Sequence, residues 1–205
     1  MEKINSAVRI HVQLIGFVIV WSAIVLLSQP FPIANLWEAA RLLPEAVTVY
    51  AVFAFLFIKL LWRLPILQGW LVKLPNLQGT WKGELRSDWI NPATGQPIAP
   101  ISVALVIKQD FSSISCTLLT PESSSYSTTA DVNFGVGGTD LYLTYNYTNR
   151  PRAAVREQSA IHDGAAILKI IRMPRRALEG SYWTSRKTTG ELALEFSSSE
   201  LIEAL

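Results

Sequence analysis

Residues 178–196 read LEGSYWTSRKTTGELALEF, and this stretch decides the fold. Leu192, Leu194 and Phe196 alternate with Ala193 and Glu195, the two-residue period of a half-buried strand. Turn-forming residues separate that run from Leu178–Thr184, which is rich in strand-favouring types. The same signature recurs toward the N-terminus. Trp81, Gly83 and Leu85 share one face, opposite Lys82, Glu84 and Arg86. The pattern predicts strands at Thr80–Ser87, Ser102–Asp110, Ser115–Thr120, Ser125–Phe134, Leu141–Thr148, Ala165–Arg172, Leu178–Thr184 and Glu191–Phe196. No helical period interrupts them. Sequential strands joined mostly by short turns predict an eight-stranded up-and-down β-barrel, because closure removes the unpaired edges of an open sheet. A sandwich is the alternative.

The remainder of the chain reads differently. Half of the 205 residues are apolar and 17% are charged, against about 25% charged in an ordinary globular chain. The apolar excess lies in the first third. Val12–Leu27 (VQLIGFVIVWSAIVLL) carries no charge. Leu42–Trp62 has an apolar centre from Ala46 to Ile58, with Pro44 and Glu45 at one end and Lys59 at the other. These runs predict two transmembrane helices, at about residues 10–28 and 42–62, as a membrane α-helical hairpin within residues 1–63. The second run and the lack of a small-residue cleavage site argue against a signal peptide; a buried hairpin is the other alternative. Lys3, Arg9, Lys59, Arg63, Lys73, Lys82 and Arg86 flank the runs, while Arg41, Glu38 and Glu45 lie between them. That bias predicts both termini, and the barrel, on the cytoplasmic side. Residues 64–78, punctuated by Pro65, Gly69 and Pro75, read as a linker, and 79–205 as the barrel domain.

The barrel topology sorts the charges. Loops after the first, third, fifth and seventh strands fall at one end. They carry Arg150, Arg152, Arg156, Arg186 and Lys187, with Trp89, Tyr182 and His162 nearby. From Tyr145 to Gly190 there are nine Lys plus Arg against three Asp plus Glu, a local +6 inside a chain of net +2. Guanidinium groups bind phosphate in a bidentate fork and aromatic faces stack on bases. Arg150, Arg152, Arg156, Tyr182, Arg186, Lys187 and Trp89 are therefore the candidate site for a phosphorylated planar ligand; a solvated basic loop is the alternative. Arg175 and Arg176 fall at the opposite end, suited to anionic lipid. Lys169 shares parity with Ile167 and Ile171, which points it inward.

Catalytic chemistry finds no footing. The sequence contains no HExxH, paired-cysteine or GxSxG motif, and Ser159, His162 and Asp163 are merely close in sequence. The single cysteine, Cys116, excludes an intramolecular disulfide and reads as a small buried side chain. The glycine-rich turn Gly135–Val136–Gly137–Gly138 precedes no helix and has no P-loop lysine.

Two N-terminal apolar runs, Gly79-x-Trp81-x-Gly83 and Gly180-x-Tyr182-Trp183 followed by Thr189-Gly190-Glu191 together resemble one bacterial family. It is the two-transmembrane, β-strand-rich effector of the cyclic-oligonucleotide-based antiphage signalling systems (CBASS). Gly-x-Trp also opens lipocalin-like barrels. The resemblance implies a non-enzymatic effector without cofactor, whose barrel senses a cyclic dinucleotide made by a partner nucleotidyltransferase. It implies homo-oligomerisation through the membrane segments, disruption of the inner membrane and death of the infected cell. The implied location is the bacterial inner membrane, multi-pass, with the lipid bilayer as partner and no DNA or RNA polymer bound. The alternative is a membrane-anchored lipocalin-like barrel carrying an apolar ligand.

Overall fold

Alternation becomes a wall of eight strands: β1 Gly79–Ser87, β2 Ile101–Gln109, β3 Ile114–Leu119, β4 Ser123–Phe134, β5 Leu141–Pro151, β6 His162–Ile171, β7 Ala177–Thr184 and β8 Thr189–Ser198. The computed structural model describes residues 6–28, 36–69, 72–92, 94–135, 138, 140–157 and 159–205. Each strand pairs antiparallel with its sequence neighbour, and β1 pairs with β8, so the sheet closes in the order β1 to β8. The sandwich is thereby excluded, and the barrel is of the lipocalin-like kind.

Inward positions explain the sequence pattern. Trp81, Val103, Leu105, Ile107, Cys116, Leu143, Leu168, Leu178, Leu192 and Leu194 face one another in a single core. Each fully buried large apolar side chain contributes about 1.5–3 kcal/mol relative to exposure. A Cβ on Gly83 would meet the Ala193 carbonyl oxygen at 2.0 Å, and one on Gly180 would meet that of Ile167 at 2.1 Å. Glycine is needed where those strands press against the neighbouring backbone. The wall is thinnest between β3 and β4, which are paired only over Thr117–Leu119. β4 also shifts register against β5 at Ser127/Thr129, and the Ser127 hydroxyl, not a carbonyl, accepts from Cys116 N–H at 2.9 Å.

Several strands run further toward one end than their apolar cores suggest. The register pairs Thr148 with Asp163 and Asn149 with His162, so His162 opens a strand rather than sitting in a loop. Polar side chains conceal these strand ends because they lie at the rim.

The N-terminal part contains α1 (Ser6–Ser28), α2 (Leu36–Arg41) and α3 (Leu43–Lys59), followed by 3-10 turns at Leu61–Arg63 and Pro65–Leu67. Pro44 and Glu45 occupy the first turn of α3 and Lys59 its last, where missing donors and the helix dipole favour them. α1 and α3 form a two-helix bundle: Tyr50 packs edge-on against Phe17 at 5.9 Å, over the open face of Gly16.

The expected membrane hairpin is overturned. Among the described residues, no helix is long and apolar enough to cross a membrane. α3 has 17 residues, or about 26 Å at 1.5 Å per residue, against a hydrocarbon core of about 30 Å. The apolar run of α1 from Leu14 to Leu27 reaches only about 21 Å, because Arg9, His11 and Gln13 occupy the helix before it. The multi-pass inner-membrane placement, the topology derived from it and the bilayer partner fall with the hairpin. Trp62, the last residue of the expected second span, lies in the turn after α3 and is fully buried. Glu2, Lys3, Trp70, Leu71, Val136 and Gly137 lie outside the described residues. The chain divides into two units between Lys73 and Leu74.

Candidate functional site

The connections after β1, β3, β5 and β7 share one end of the barrel, the mouth. They are tied to one another. Arg152 N–H donates to the Glu122 carbonyl at 2.8 Å and Ser185 N–H to that of Asp163 at 2.8 Å. The Asp88 carboxylate accepts from the N–H of Thr189 at 2.9 Å and from its hydroxyl. The hydroxyl bond holds the Asp88 carboxyl below its usual range.

The sequence-predicted residues take different positions here. Tyr182 is buried and points into the barrel. Arg186 reaches the β5–β6 connection, donating to Ser159 Oγ at 2.8 Å. Arg156 turns back to the Pro151 carbonyl at 3.4 Å. Arg152 and Lys187 are exposed on the rim, Lys187 at the left-handed turn position with φ +62°. Trp89 is exposed in the connection after β1. Arg150 alternates outward from β5, opposite Ser124.

The alternation of β5 held a further set that the charge pattern did not reveal. Leu141, Leu143, Tyr145, Tyr147 and Asn149 share its inner face, rising from the middle of the barrel to the mouth. The register places small residues across from the rings. Tyr145 lies opposite Ala166, which lies opposite Tyr182. Tyr182 lies opposite Gly190, and Tyr147 opposite Gly164. A Cβ on Gly164 would strike the Tyr147 ring at 2.5 Å, and one on Gly190 the Tyr182 ring at 2.7 Å. Thr184 and Ser125 are buried polar groups of the same region.

Two atoms in this set stand out. The Tyr145 hydroxyl and Asn149 Oδ1 are buried and make no hydrogen bond. The other end of that amide is used, Asn149 Nδ2 donating to Ser123 Oγ at 3.2 Å. An unpaired buried polar group costs about 1–3 kcal/mol, and native proteins seldom retain one without a use. Burial drives the phenols of Tyr145, Tyr147 and Tyr182 upward, so all three are neutral donors at ordinary pH. Among the described residues, the buried polar side chains are Thr80, Gln109, Ser125 and Thr184, none of them charged. The mouth therefore combines a neutral interior of tyrosine faces and amide oxygen with a cationic rim.

Other expectations change. Lys169 points outward and pairs with Asp140 at 2.9 Å; Ala166, Leu168 and Ile170 are the inward residues of β6. Arg175 pairs with Glu195. Arg176 lies over the rings of Phe196 and Trp81, at 3.9 and 5.3 Å, and so serves the barrel itself rather than a lipid surface. Ser159 bonds Arg186, and His162 Nδ1 lies 2.9 Å from the Ala160 carbonyl, so no triad forms. Cys116 is buried, its thiol pushed up to about 12. Among the described residues, no group of three metal-ligating side chains assembles.

Residues 72–195 match the family described as Cap15, cyclic dinucleotide receptor domain. Over 93 residues the chain is 34% identical to CD-NTase-associated protein 15 of Staphylococcus schleiferi, covering 45% of this chain and 48% of that protein. The chain thus spans about half the length of the curated relative it matches. The matched family is a receptor, a binding module rather than an enzyme. The match falls on the barrel, so the receptor domain of the resemblance stands; its two transmembrane helices do not, since no helix among the described residues is long and apolar enough to cross a membrane.

Proposed function

The chain belongs to the Cap15 cyclic dinucleotide receptor domain family, and from that premise we propose that the barrel binds a cyclic dinucleotide at its mouth, bases inward and phosphates at the rim. The observation that carries this reading is the pair of unpartnered buried atoms, Tyr145 Oη and Asn149 Oδ1, beneath a rim bearing Arg152, Arg156, Arg186 and Lys187. Amide oxygen and phenol suit the N–H and carbonyl edges of a base. The faces of Tyr145, Tyr147 and Tyr182 suit stacking, worth about 1–3 kcal/mol per base. Phosphates keep to the rim because the interior offers no cation to offset their desolvation. Trp89, exposed in the connection after β1, offers a further aromatic face to the ligand; Arg150, turned outward, is left out of the set.

In this reading the messenger comes from a partner nucleotidyltransferase during phage infection, and the chain is a receptor in an antiphage signalling system. Binding leads to self-association of the protein. The apolar-ligand alternative draws on the apolar interior below the tyrosines, where Leu105, Leu143, Leu168, Leu178 and Leu194 are fully buried.

Calorimetry on the 205-residue chain with cyclic di-AMP, cyclic di-GMP, cyclic GMP–AMP and cyclic di-UMP tests the proposal. At least one member binds, and Arg152→Ala and Arg186→Ala each weaken it by roughly 10- to 100-fold, the value of a hydrogen bond to a charged group. Binding by none of them, with uptake of a fatty acid instead, overturns the nucleotide reading.

A further inference from the structure

Residues 75–77 are gripped by three side chains from three different parts of the barrel. Gln109, at the end of β2 and only 3% exposed, uses both ends of its amide. Its Oε1 accepts from Leu77 N–H at 2.7 Å and its Nε2 donates to the Pro75 carbonyl at 3.0 Å. The indole N–H of Trp81, on β1, donates to the Leu77 carbonyl at 2.9 Å. The Arg176 guanidinium, in the β6–β7 turn, donates to the Asn76 carbonyl at 2.8 Å. The carbonyls of Pro75, Asn76 and Leu77 are thus each held by a different side chain. Leu77 itself is buried in the core.

The same side chains form the floor of the barrel. Trp81 meets Phe196 edge-on at 5.3 Å, and Arg176 covers both rings. The floor rings cannot shift while the grip holds, because a displaced indole would leave its N–H buried and unpaired. Above them lies a column of fully buried aliphatic side chains, Leu105, Leu143, Leu168 and Leu194 among them. Close-packed interiors transmit displacement rather than absorb it, and packed cores shift between discrete arrangements rather than deforming continuously.

We infer that Gln109, Trp81 and Arg176 form a clamp that holds residues 75–77 when the barrel is empty and lets go when its mouth is filled, freeing the segment that leads to the helices so that the protein self-associates. The ligand part rests on the nucleotide reading above; the clamp and its coupling to assembly do not. Gln109, Trp81 and Arg176 are positioning residues, acting on the chain segment and not on the ligand.

Lys73, exposed just before the clamped segment, gives a direct readout by trypsin cleavage, with Arg152 in the mouth as internal reference. In the 205-residue chain without nucleotide, Gln109→Leu and Arg176→Ala raise cleavage after Lys73 about tenfold and leave Arg152 cleavage unchanged, as expected for local release. Both variants also shift to a larger mass in light scattering. Arg176→Lys, which keeps a donor and a cation over the rings, stays close to the unsubstituted protein. Faster cutting at both sites in Gln109→Leu signals a folding defect, and Arg176→Ala, altered at a more exposed position, then decides. Unchanged Lys73 cleavage in Arg176→Ala overturns the clamp. Faster cleavage without a change in mass overturns its coupling to assembly. Cyclic GMP–AMP, if it binds, accelerates Lys73 cleavage in the unsubstituted chain; binding without acceleration overturns the link to the ligand while sparing the proposed function. If no cyclic dinucleotide binds the unsubstituted chain, released and enlarged variants still support the clamp, and the proposed function alone is overturned.

Discussion

The mouth and the floor of the barrel are built from the same eight strands, yet they treat polar groups in opposite ways. At the floor, the amide of Gln109, the indole of Trp81 and the guanidinium of Arg176 all have partners on the chain. At the mouth, the Tyr145 hydroxyl and Asn149 Oδ1 are buried with none, and the bulky side chains have glycine or alanine as their cross-strand partners. A fold that satisfies every group it can leaves gaps where something else is to complete them. The floor is therefore completed by the chain itself and the mouth is left for a ligand to complete, and each difference between them can be tested.

The largest effect is expected from the two tryptophans. Trp81→Ala opens a cavity at a site 1% exposed and orphans the Leu77 carbonyl, so it should lower barrel stability by about 3–5 kcal/mol. Trp89→Ala, at 38% exposure, should change it by no more than about 0.5 kcal/mol. Urea denaturation of the two variants measures both. Equal losses would mean that the mouth is packed like the floor.

The two ends also differed in how readable they were. The floor residue Trp81 and the aliphatic core followed from alternation, because an inward aliphatic row beside an outward charged row fixes both period and face. β6 did not follow. Ile167 and Ile171 are apolar and so is the opposite row, and only the cross-strand partners Tyr145 and Tyr182 of Ala166 decide which faces inward; that is why Lys169 was misplaced. Rim strand ends were cut short because Ser123, Asn149 and His162 look like loop residues until a neighbour pairs with them. Formal charge drew attention to the arginines, while the uncharged polar ladder of β5 was legible in principle from its period alone. Gln109 carries no sequence signal, since its role depends on residues 75–77 folding back. The helical runs were legible as helices; their span was over-read, because the apolar run preceding Leu14 is interrupted by Gln13, His11 and Arg9.

A second test uses pH. The Cys116 thiol is raised from 9.0 to about 12, and burial raises Tyr145, Tyr147 and Tyr182 above the ordinary 10.0. In the unfolded chain these groups lose their protons first. Above about pH 9 the folded state binds more protons than the unfolded one, so stability is complete below that point and falls as pH rises. The slope approaches about 1.4 kcal/mol per pH unit for each fully buried group, and less for the partly solvated Tyr147 and Tyr182. Urea midpoints from pH 8 to 11 should decline, less steeply in Cys116→Ala. A flat profile would mean that the thiol and the mouth phenols reach water, erasing the distinction between interior and rim.

The smallest effect has the most informative sign. Removing a buried hydroxyl that has a partner costs stability. Thr184, whose Oγ1 lies 2.7 Å from that of Thr188, should lose about 1 kcal/mol as Thr184→Val. Tyr145→Phe removes a buried hydroxyl that has no partner, so the empty barrel should be unchanged or gain up to about 1 kcal/mol. The same substitution should weaken nucleotide binding about tenfold, because the hydroxyl finds its partner only in the complex. Stability and affinity would then move in opposite directions at one atom, as expected of a group kept for a ligand. If Tyr145→Phe instead loses as much stability as Thr184→Val and binds as tightly as the unsubstituted chain, its hydroxyl is a structural group like those of the floor, and the mouth has no special claim.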